Sequence, residues 1–236
     1  MNDVSRLLTI LMTLRAAFYS PFFKDMGSSS SKRAKLDNIE ENHIIIAVIG
    51  LTGVGKSTFI NNAVKESRVE VGHGLKPKSL DVQYVDFRVR LDGNEVEQQV
   101  IFVEAPGFDF DRDEEKMAKK LEEWLKKAAS KNLKISGVLY LHRITDLKLS
   151  NPPIQHLVLL RKLCEQSIKG FPNRIVLVTT MWDLLKSEAT GEERERELQK
   201  YWDTLPSGSV VSRVMRFDLR TPDPAMSIVE ALMKRN

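Results

Sequence analysis

Cysteine is nearly absent from this sequence: Cys164 is the single one among 236 residues, so no disulfide can form within the chain. A chain without disulfides is typical of a reducing compartment, and we expect a cytoplasmic location. Long apolar runs are also missing. The apolar or neutral run near the start extends only from Leu7 to Leu14, between Arg6 and Arg15. A membrane-spanning helix needs about 20 apolar residues.

An excess of charge of one sign is missing as well. Lysine and arginine number 36 against 32 aspartates and glutamates, which gives a net charge of +4 and is typical of a mixed, solvated surface. No basic face is interleaved with aromatic residues, so no nucleic-acid partner is expected. The cluster Lys32–Lys35 resembles a short nuclear-import signal, although such a cluster is more often a solvated linker.

The length allows one α/β domain and an extension, and composition places their boundary near residue 36. Residues 1–36 are the predicted extension, and residues 37–236 are the predicted domain. Within the extension, residues 4–23 are apolar around most of a helix circumference, and a serine-rich basic linker follows at 27–35. Two interpretations remain open. The helix packs on the domain or on a second copy of it, or it lies on a membrane surface as a peripheral anchor.

A glycine-rich motif after an apolar run carries the clearest chemistry in the chain. It reads Gly50-Leu-Thr-Gly-Val-Gly-Lys56-Ser57, which is the spacing of a phosphate-binding loop. Its glycines let backbone N–H groups converge on one anion, and the following helix adds the positive end of its dipole. Lys56 supplies a charge for the β- and γ-phosphates, and Ser57 supplies a hydroxyl for Mg²⁺. The predicted nucleotide contacts are Gly50, Thr52, Gly53, Val54, Gly55, Lys56, Ser57 and Thr58.

Strands and helices alternate along the rest of the chain. Apolar runs predict strands, and 3.6-residue patterns predict helices. Val85, Phe87 and Val89 alternate with polar residues before Asp92-Gly93, which predicts a β-hairpin. The predicted strands are His43–Ile49, Tyr84–Leu91, Val96–Val103, Ile135–Leu141, Arg174–Thr179 and Ser212–Leu219, and the predicted helices are Ser57–Val64, Asp113–Ser130, Ile154–Ile168, Glu192–Leu205 and Ala225–Lys234. This order predicts a three-layer α/β fold whose sheet is mostly parallel, with one antiparallel hairpin strand.

A phosphate-binding loop does not distinguish a kinase, an ATPase and a GTPase, so the base must be recognised elsewhere. Asp183 ends the segment Thr179-Thr-Met-Trp-Asp183, directly after a predicted strand. Its carboxylate can accept from N1–H and the 2-amino group of guanine, whereas adenine has an acceptor at N1. The alternative is an aspartate that caps a helix. From this residue alone both interpretations remain open.

Four motifs in this order resemble those of a known family. They are Gly50–Ser57, Glu104-Ala-Pro-Gly-Phe108, Tyr140-Leu-His-Arg-Ile-Thr-Asp146 and Thr179–Asp183. Together they resemble the fungal G-domain P-loop proteins related to septins and to the immunity-associated nucleotide-binding (paraseptin) GTPases, over residues 43–236. The resemblance implies a P-loop NTPase G domain that binds GTP and GDP with Mg²⁺ and forms a homodimer through its nucleotide face.

The resemblance also implies a set of metal ligands. Ser79 falls where the family usually has the threonine that completes Mg²⁺ coordination. Glu104 falls where the family has an aspartate that holds Mg²⁺ through water, and glutamate is one methylene longer. With the hydroxyl of Ser57, these two residues form the predicted metal site.

The remaining site residues come from the same resemblance. Gly107 is implied to offer its N–H to the γ-phosphate, and Thr180 and Asp183 belong to the implied base-binding motif. Met181 replaces the usual lysine, and its apolar chain can lie along the purine face. The segment Arg216–Arg220 should lead to the loop over guanine, but the usual serine-alanine-lysine pattern is missing there, so no base contact is assigned.

The catalytic candidates are Lys56, His73 and Arg143. Because Phe108 follows the glycine of the second motif, the glutamine that orients water in many GTPases is absent. Arg143 can stabilise charge in its own site or across a dimer, or it can simply pair with Asp146. His73 is either a catalytic residue or an ordinary loop residue.

These observations predict a guanine-nucleotide-binding switch that hydrolyses GTP slowly and is activated by dimerisation. The alternative is a non-catalytic GTP-binding interaction module, in which Glu104 and Phe108 mark lost hydrolysis. A nucleotide kinase or an ATPase is disfavoured, because the sequence has no apparent arginine-rich lid or second substrate site.

Overall fold

The computed structural model describes residues 39–69, 71, 82–90, 96–107, 114–146, 174–203 and 213–234. Several sequence predictions lie outside these residues: the extension with its helix at 4–23, His73, Ser79, Phe108 and the helix Ile154–Ile168. Within the described ranges, no helix is both long enough and apolar enough to cross a membrane.

A sheet of six strands forms the centre of the described chain. The strands are β1 (Ile44–Gly50), β2 (Gln83–Val89), β3 (Gln98–Glu104), β4 (Ile135–Arg143), β5 (Ile175–Thr180) and β6 (Arg213–Arg216). Their order is β2-β3-β1-β4-β5-β6. The β2–β3 hairpin is antiparallel and every other pair is parallel. The predicted mixed sheet with one antiparallel hairpin strand is therefore confirmed.

The central strands are buried on both faces, which explains their sequences. All six residues of β5 are buried, and in β1 all but Ile44 are buried. A strand covered by helices on both faces needs apolar side chains in both orientations, so it shows no polar alternation. In contrast, β2 lies at the sheet edge and alternates, with Val85 and Phe87 buried.

Four described helices cover the sheet: α1 (Lys56–Val64), α2 (Glu114–Ser130), α3 (Glu188–Asp203) and α4 (Pro224–Met233). The chain moves from β1 to β3 in one direction across the sheet and from β3 to β4 in the other. Right-handed crossovers therefore place α1 and α2 on opposite faces. The result is the predicted three-layer arrangement.

The layer formed by α1 and α4 packs directly beneath the centre of the sheet. Phe59 of α1 meets the ring of Phe102 on β3 at 6.2 Å between centroids and that of Phe217 at 5.1 Å. At the start of α4, Lys65 Nζ lies 3.0 Å from a carboxylate oxygen of Asp223. Phe59 thus holds the first turns of α1, which follow the glycine-rich loop, against the sheet, and Lys65 joins the end of α1 to the start of α4.

Two predicted element boundaries are wrong by three residues or more. The strand predicted at Ser212–Leu219 ends at Arg216, because Asp218 folds the chain into a turn by accepting the backbone N–H of Arg220 at 3.0 Å. The helix predicted at Glu192–Leu205 already begins at Glu188. Gly191 lies in its first turns, where an added Cβ would stand 2.6 Å from atoms of Trp182 and Leu185. This glycine therefore serves close packing inside the helix and does not mark its start.

Candidate functional site

The glycine-rich motif lies at the carboxyl end of β1, between the ends of β3 and β4. Strand order reverses at this point, since the chain leaves β1 towards β3 and later returns to β4 on the other side. Open α/β sheets bind their ligands in the crevice outside such a reversal. The topology therefore places the predicted phosphate-binding loop where a ligand is expected.

The backbone of this loop adopts the conformation that its glycines permit. Gly53 and Gly55 have φ values of 75° and 93°, a region that other residues rarely adopt. Gly55 is the N-cap of α1, and no side chain caps the helix there. Uncapped N–H groups at the helix start are donors for an anion.

Lys56 is buried at the centre of this loop. Its Nζ donates to the carbonyl oxygens of Gly50 at 3.2 Å and Leu51 at 3.0 Å. These bonds hold the ammonium inside the curve of the loop, beside the N–H groups at the start of α1. An anion in the loop would meet both the ammonium and the N–H groups.

Ser57 and Glu104, two of the three predicted metal ligands, are brought together. Ser57 Oγ donates to Glu104 Oε1 at 2.7 Å, although the residues are 47 positions apart. The other oxygen of Glu104, Oε2, is buried and has no hydrogen-bond partner. Burial raises the pKa of Glu104, and the bond from Ser57 and the charge of Lys56 oppose this shift. The third predicted ligand, Ser79, lies outside the described residues.

Thr52 and Gly107 are in direct contact across the site. An added Cβ on Gly107 would stand 2.3 Å from Thr52 Oγ1 and 2.7 Å from its backbone nitrogen. Gly107 is therefore required by the close approach of the segment after β3 to the loop. The hydroxyl of Thr52 is buried by this contact and has no hydrogen-bond partner.

The side chain of Thr180, at the end of β5, contacts the phosphate-binding loop. This side chain is buried, and Oγ1 donates to the carbonyl oxygen of Val54 at 2.9 Å. Nucleotide contact by Thr180 stays a prediction, and its hydroxyl bond joins the end of β5 to the loop.

Asp183 lies on the surface at the same edge of the sheet. It belongs to a short 3-10 helix, Trp182–Leu184, whose N-cap is Met181 with a left-handed φ of 62°. Asp183 is exposed and Met181 is half-buried. Because the cap position belongs to Met181, the alternative interpretation of Asp183 as a helix cap is wrong. Its carboxylate is available to a ligand.

A cluster of four side chains under Asp183 was missed by the sequence analysis. The buried Trp182 donates from Nε1 to Thr179 Oγ1 at 3.0 Å, and Thr179 Oγ1 donates to Glu195 at 3.1 Å. Arg216 lies 4.2 Å above the Trp182 ring centroid and 2.6 Å from Glu195. We call Thr179, Trp182, Glu195 and Arg216 the Trp182 cluster. It joins β5, α3 and β6, and no local sequence pattern connects these elements.

Arg143, a predicted catalytic residue, lies at the end of β4 and pairs with Asp146. The distance from Arg143 Nε to Asp146 Oδ1 is 3.1 Å. This pair favours the structural interpretation of Arg143. His73, another predicted catalytic residue, lies outside the described residues.

The site thus combines three chemical functions along one edge of the sheet. The loop and Lys56 can bind a polyphosphate, and the hydroxyl of Ser57 with the carboxylate of Glu104 provides the oxygen donors that Mg²⁺ prefers. Asp183 can accept hydrogen bonds from a base. A separate cavity of about 390 Å³, lined in part by Leu125 and Ile135, lies at the opposite edge and belongs to none of these functions.

Comparison with known proteins gives the same fold. The solved structure of a dimerisation-deficient mutant of Toc33 from Arabidopsis thaliana is 16% identical, with a TM-score of 0.62 over 81% of this chain and 83% of that chain. Toc33 in complex with GDP and Mg²⁺ is 18% identical, with a TM-score of 0.59 and the same coverages. Guanine nucleotide and Mg²⁺ are thus bound by a protein of this fold.

A third similar structure concerns the chloroplast translocon components atToc33 and psToc159, for which dimerisation is important for GTPase activity. It is 17% identical, with a TM-score of 0.59 over 81% of this chain and 82% of that chain. No curated protein matches the sequence. The family model described as 50S ribosome-binding GTPase matches residues 45–179, which is more than half of the chain and runs from β1 to Thr179 of β5. The chain therefore belongs to this family of P-loop GTPase G domains.

Proposed function

We propose that this chain binds GTP with Mg²⁺ and hydrolyses it slowly to GDP and phosphate, and that pairing of two copies accelerates the reaction. The observation that carries the proposal is the contact between Ser57 and Glu104. A hydroxyl on the phosphate-binding loop and a carboxylate at the end of β3 meet at 2.7 Å, beside the buried Lys56. P-loop NTPases hold Mg²⁺ with a hydroxyl of this loop and a nearby carboxylate, and this chain has both groups in these places.

The residues present fit a magnesium ion. Glu104 Oε2 is buried without a hydrogen-bond partner, and such an orphaned carboxylate oxygen calls for a missing ligand. Among the described residues, no group of three or more histidine, cysteine or acidic side chains could hold a metal ion. A site with few protein ligands is suited to Mg²⁺, because this ion keeps several water ligands and also binds phosphate oxygens of the substrate. When bound, Mg²⁺ supplies positive charge to the β- and γ-phosphate oxygens.

The chain's own residues would bind and orient the nucleotide. The N–H groups at the start of α1 donate to the phosphates, and Lys56 exchanges its carbonyl partners for phosphate oxygens. Asp183 accepts from N1–H and the 2-amino group of guanine. Hydrolysis is slow in this proposal because the sequence places Phe108 where many relatives carry a water-orienting glutamine, so the attacking water lacks that side chain.

Pairing through the nucleotide face is supported by two observations. Leu184 and Leu219 are exposed, at 64% and 50%, at the carboxyl ends of neighbouring strands beside Asp183. Exposed apolar side chains at one edge favour a protein contact there. In addition, dimerisation is important for the GTPase activity of the chloroplast translocon components of similar structure.

The second candidate is a non-catalytic module whose bound nucleotide stabilises an interface. It is favoured by the direct bond between Glu104 and Ser57, since a carboxylate that already accepts from this hydroxyl competes with a metal ion for it. Burial, which raises the pKa of Glu104, adds to this competition. Both candidates share guanine-nucleotide binding and differ only in hydrolysis.

Phosphate release from GTP, measured per protein molecule over a wide range of protein concentration with saturating Mg²⁺, tests the proposal. We expect slow release that rises with protein concentration, and none from ATP. Tight GTP binding without release would contradict hydrolysis and support the module, and Glu104→Asp would then be the first variant to test for recovered activity. A rate per molecule that is constant with concentration would contradict activation by pairing.

Three further predictions rest on the sequence. The single cysteine supports a cytoplasmic location. Contact with a membrane through residues 4–23 rests on their apolar composition, and the relation to septins and immunity-associated GTPases rests on the four motifs.

A further inference from the structure

The edge of the sheet opposite the nucleotide site carries a group of basic residues. The parallel strands β4, β5 and β6 all begin there, and a basic residue stands at or directly before each start: Lys134, Arg174 and Arg213. Arg174 is fixed by two bonds, since its carbonyl oxygen accepts from Val138 N at 2.8 Å and its Nη1 donates to the carbonyl oxygen of Ser136 at 3.4 Å. Neighbouring strands lie about 4.8 Å apart, so these three residues are spread over a width of roughly 10 Å.

Two exposed lysines extend this group. Lys131 lies in the turn between α2 and β4. Lys234 directly follows α4, whose Leu232 packs against Gly137 near the start of β4. We call the five residues together the basic edge: Lys131, Lys134, Arg174, Arg213 and Lys234. They place five positive charges at the amino ends of three neighbouring strands.

Acidic partners are scarce at the basic edge. The side chains of Lys134 and Arg213 form no hydrogen bond or ion pair with any residue that the structure describes. Glu41, before β1, lines the same cavity as Lys134 but forms no ion pair with it. At the carboxyl edge, in contrast, Arg143 is paired with Asp146 at 3.1 Å. Because like charges this close repel one another, the basic edge is suited to a partner that brings negative charge.

An anionic membrane surface fits these features better than nucleic acid does. The chain enters the domain at this edge, since Ile39 precedes β1, and the residues before it include the apolar stretch 4–23 and the basic cluster Lys32–Lys35. Stable membrane association usually takes two signals, such as an apolar anchor and a polybasic patch. Single-stranded nucleic acid stacks on exposed aromatic side chains, and none of the aromatic side chains that the structure describes is exposed.

We infer that the basic edge docks this chain on a membrane surface rich in anionic lipid headgroups. Docking there turns the amino ends of β4, β5 and β6 towards the bilayer and leaves the nucleotide site at the far ends of the strands. The nine residues of β4 span about 30 Å, so a nucleotide and a second copy of the chain keep access to that site. The inference depends neither on nucleotide binding nor on hydrolysis.

The test measures co-sedimentation of the full chain with large unilamellar vesicles. Vesicles of phosphatidylcholine alone are compared with vesicles in which roughly a third of the lipid is phosphatidylserine. The wild type should bind the phosphatidylserine vesicles more tightly, and added salt should reduce this preference because it screens the charges. The double variant Lys134→Gln/Arg213→Gln should bind phosphatidylserine vesicles on the order of tenfold more weakly, with unchanged binding to phosphatidylcholine.

The double variant Lys119→Gln/Arg196→Gln is the matched control. It removes the same charge from exposed positions within α2 and α3, away from the basic edge. It should keep the wild-type preference for phosphatidylserine. Thermal unfolding of each variant without vesicles shows whether it is folded.

The inference is overturned if the wild type binds both kinds of vesicle equally or not at all, or if the folded Lys134→Gln/Arg213→Gln variant keeps the wild-type preference. An equal loss in the control variant would also overturn it, because total charge would then explain the binding. A homopolymer RNA is the second probe. RNA binding that Lys134→Gln/Arg213→Gln loses, without a wild-type preference for phosphatidylserine, would assign the basic edge to nucleic acid instead.

Discussion

At the scale of single residues, Thr52 has a buried polar group that lacks a hydrogen-bond partner. Its hydroxyl is buried against Gly107 with no hydrogen-bond partner, and an unsatisfied buried hydroxyl is destabilising by about 1–3 kcal/mol. Thr52→Val keeps the shape and removes this group. We expect its free energy of unfolding, measured by chemical denaturation without nucleotide, to rise by about 1 kcal/mol.

Thr52→Ser is the matched control, because it keeps the hydroxyl and removes a methyl group. It should be no more stable than the wild type. A valine variant of lower stability would show that the hydroxyl has a favourable partner in the protein. If the hydroxyl turns to the phosphates when nucleotide binds, the valine variant should also bind GDP more weakly.

His142 is a buried histidine next to the site. Burial lowers its pKa from the usual value of 6.5, the charge of Asp146 opposes this shift, and the charge of Arg143 adds to it. The folded state therefore binds fewer protons than the unfolded state below pH 6.5, and stability should fall as the pH drops from there through the lowered pKa. The limiting slope for one proton is about 1.4 kcal/mol per pH unit.

His142→Gln removes this titration. We expect its stability to fall less steeply than that of the wild type below about pH 6.5, as measured by denaturant unfolding at a series of pH values. The difference between the two curves isolates His142, since the carboxyl groups titrate in both proteins. Parallel curves would contradict the lowered pKa.

Substitution of Arg143 distinguishes a structural role of this residue from a catalytic one. Its ion pair with Asp146, at 3.1 Å between partly exposed groups, predicts that Arg143→Ala changes stability by less than about 1 kcal/mol. GTP binding should be unchanged. If Arg143 also stabilises transition-state charge, GTP turnover should fall on the order of a hundredfold or more; unchanged turnover would exclude that role. Asp146→Asn, which removes only the pairing, is the control.

At the scale of elements, the contact between β4 and α4 is tight at one point. An added Cβ on Gly137 would stand 2.7 Å from both terminal carbons of Leu232. Gly137→Ala should lower the free energy of unfolding by about 1–3 kcal/mol through overpacking. Leu232→Ala alone should lower it by about 2–5 kcal/mol, because it leaves a cavity.

The double variant tests whether the two substitutions act on the same packing contact. The methyl group added at Gly137 fills room vacated by Leu232, so the double variant should be less destabilised than the sum by more than about 0.5 kcal/mol. Gly137→Ala combined with Leu198→Ala, on α3, is the control and should be additive. Additivity in both pairs would contradict direct packing of Gly137 on Leu232.

Also at this scale, the Trp182 cluster explains how three elements hold one short helix. Glu195 on α3 lies 2.6 Å from Arg216, and Glu188 and Glu192 on the same helix lie within 3.9 Å of it. Gly191 lets α3 approach Trp182 closely. The position of Asp183 is therefore set by side chains from α3, β5 and β6 together.

At the scale of the whole molecule, nucleotide binding should increase the thermal stability of the protein. A ligand that binds only the folded state stabilises it by about 2.7 kcal/mol at 100 times its Kd. For a chain of this size we expect GDP with Mg²⁺ to raise the Tm by roughly 5–10 °C. EDTA should reduce the shift if Ser57 and Glu104 hold the metal.

ADP at the same concentration is the control. It carries the same diphosphate but presents adenine to Asp183, so the shift should be much smaller than that of the guanine nucleotide. An equal shift with ADP would contradict base recognition at Asp183. A shift with GDP that EDTA leaves unchanged would contradict metal binding at Ser57 and Glu104.

Local sequence patterns predicted a large part of this fold. The apolar run before Gly50 became β1, the alternation around Val85 and Phe87 became the hairpin, and the motif up to Ser57 became the loop and the start of α1. These features depend on neighbouring residues, because hydrophobic period and glycine spacing act within one or two turns.

The details of the site depend on contacts between distant segments. The hydroxyl of Thr180 supports the loop by donating to the carbonyl oxygen of Val54, 126 positions earlier in the chain. The position of Trp182 likewise depends on its contacts with Thr179 on β5 and Arg216 on β6. The chain alone specified which chemical groups were available, through residue spacing. Only the tertiary structure decided which of them meet, because strand order and register join residues that are far apart in the chain.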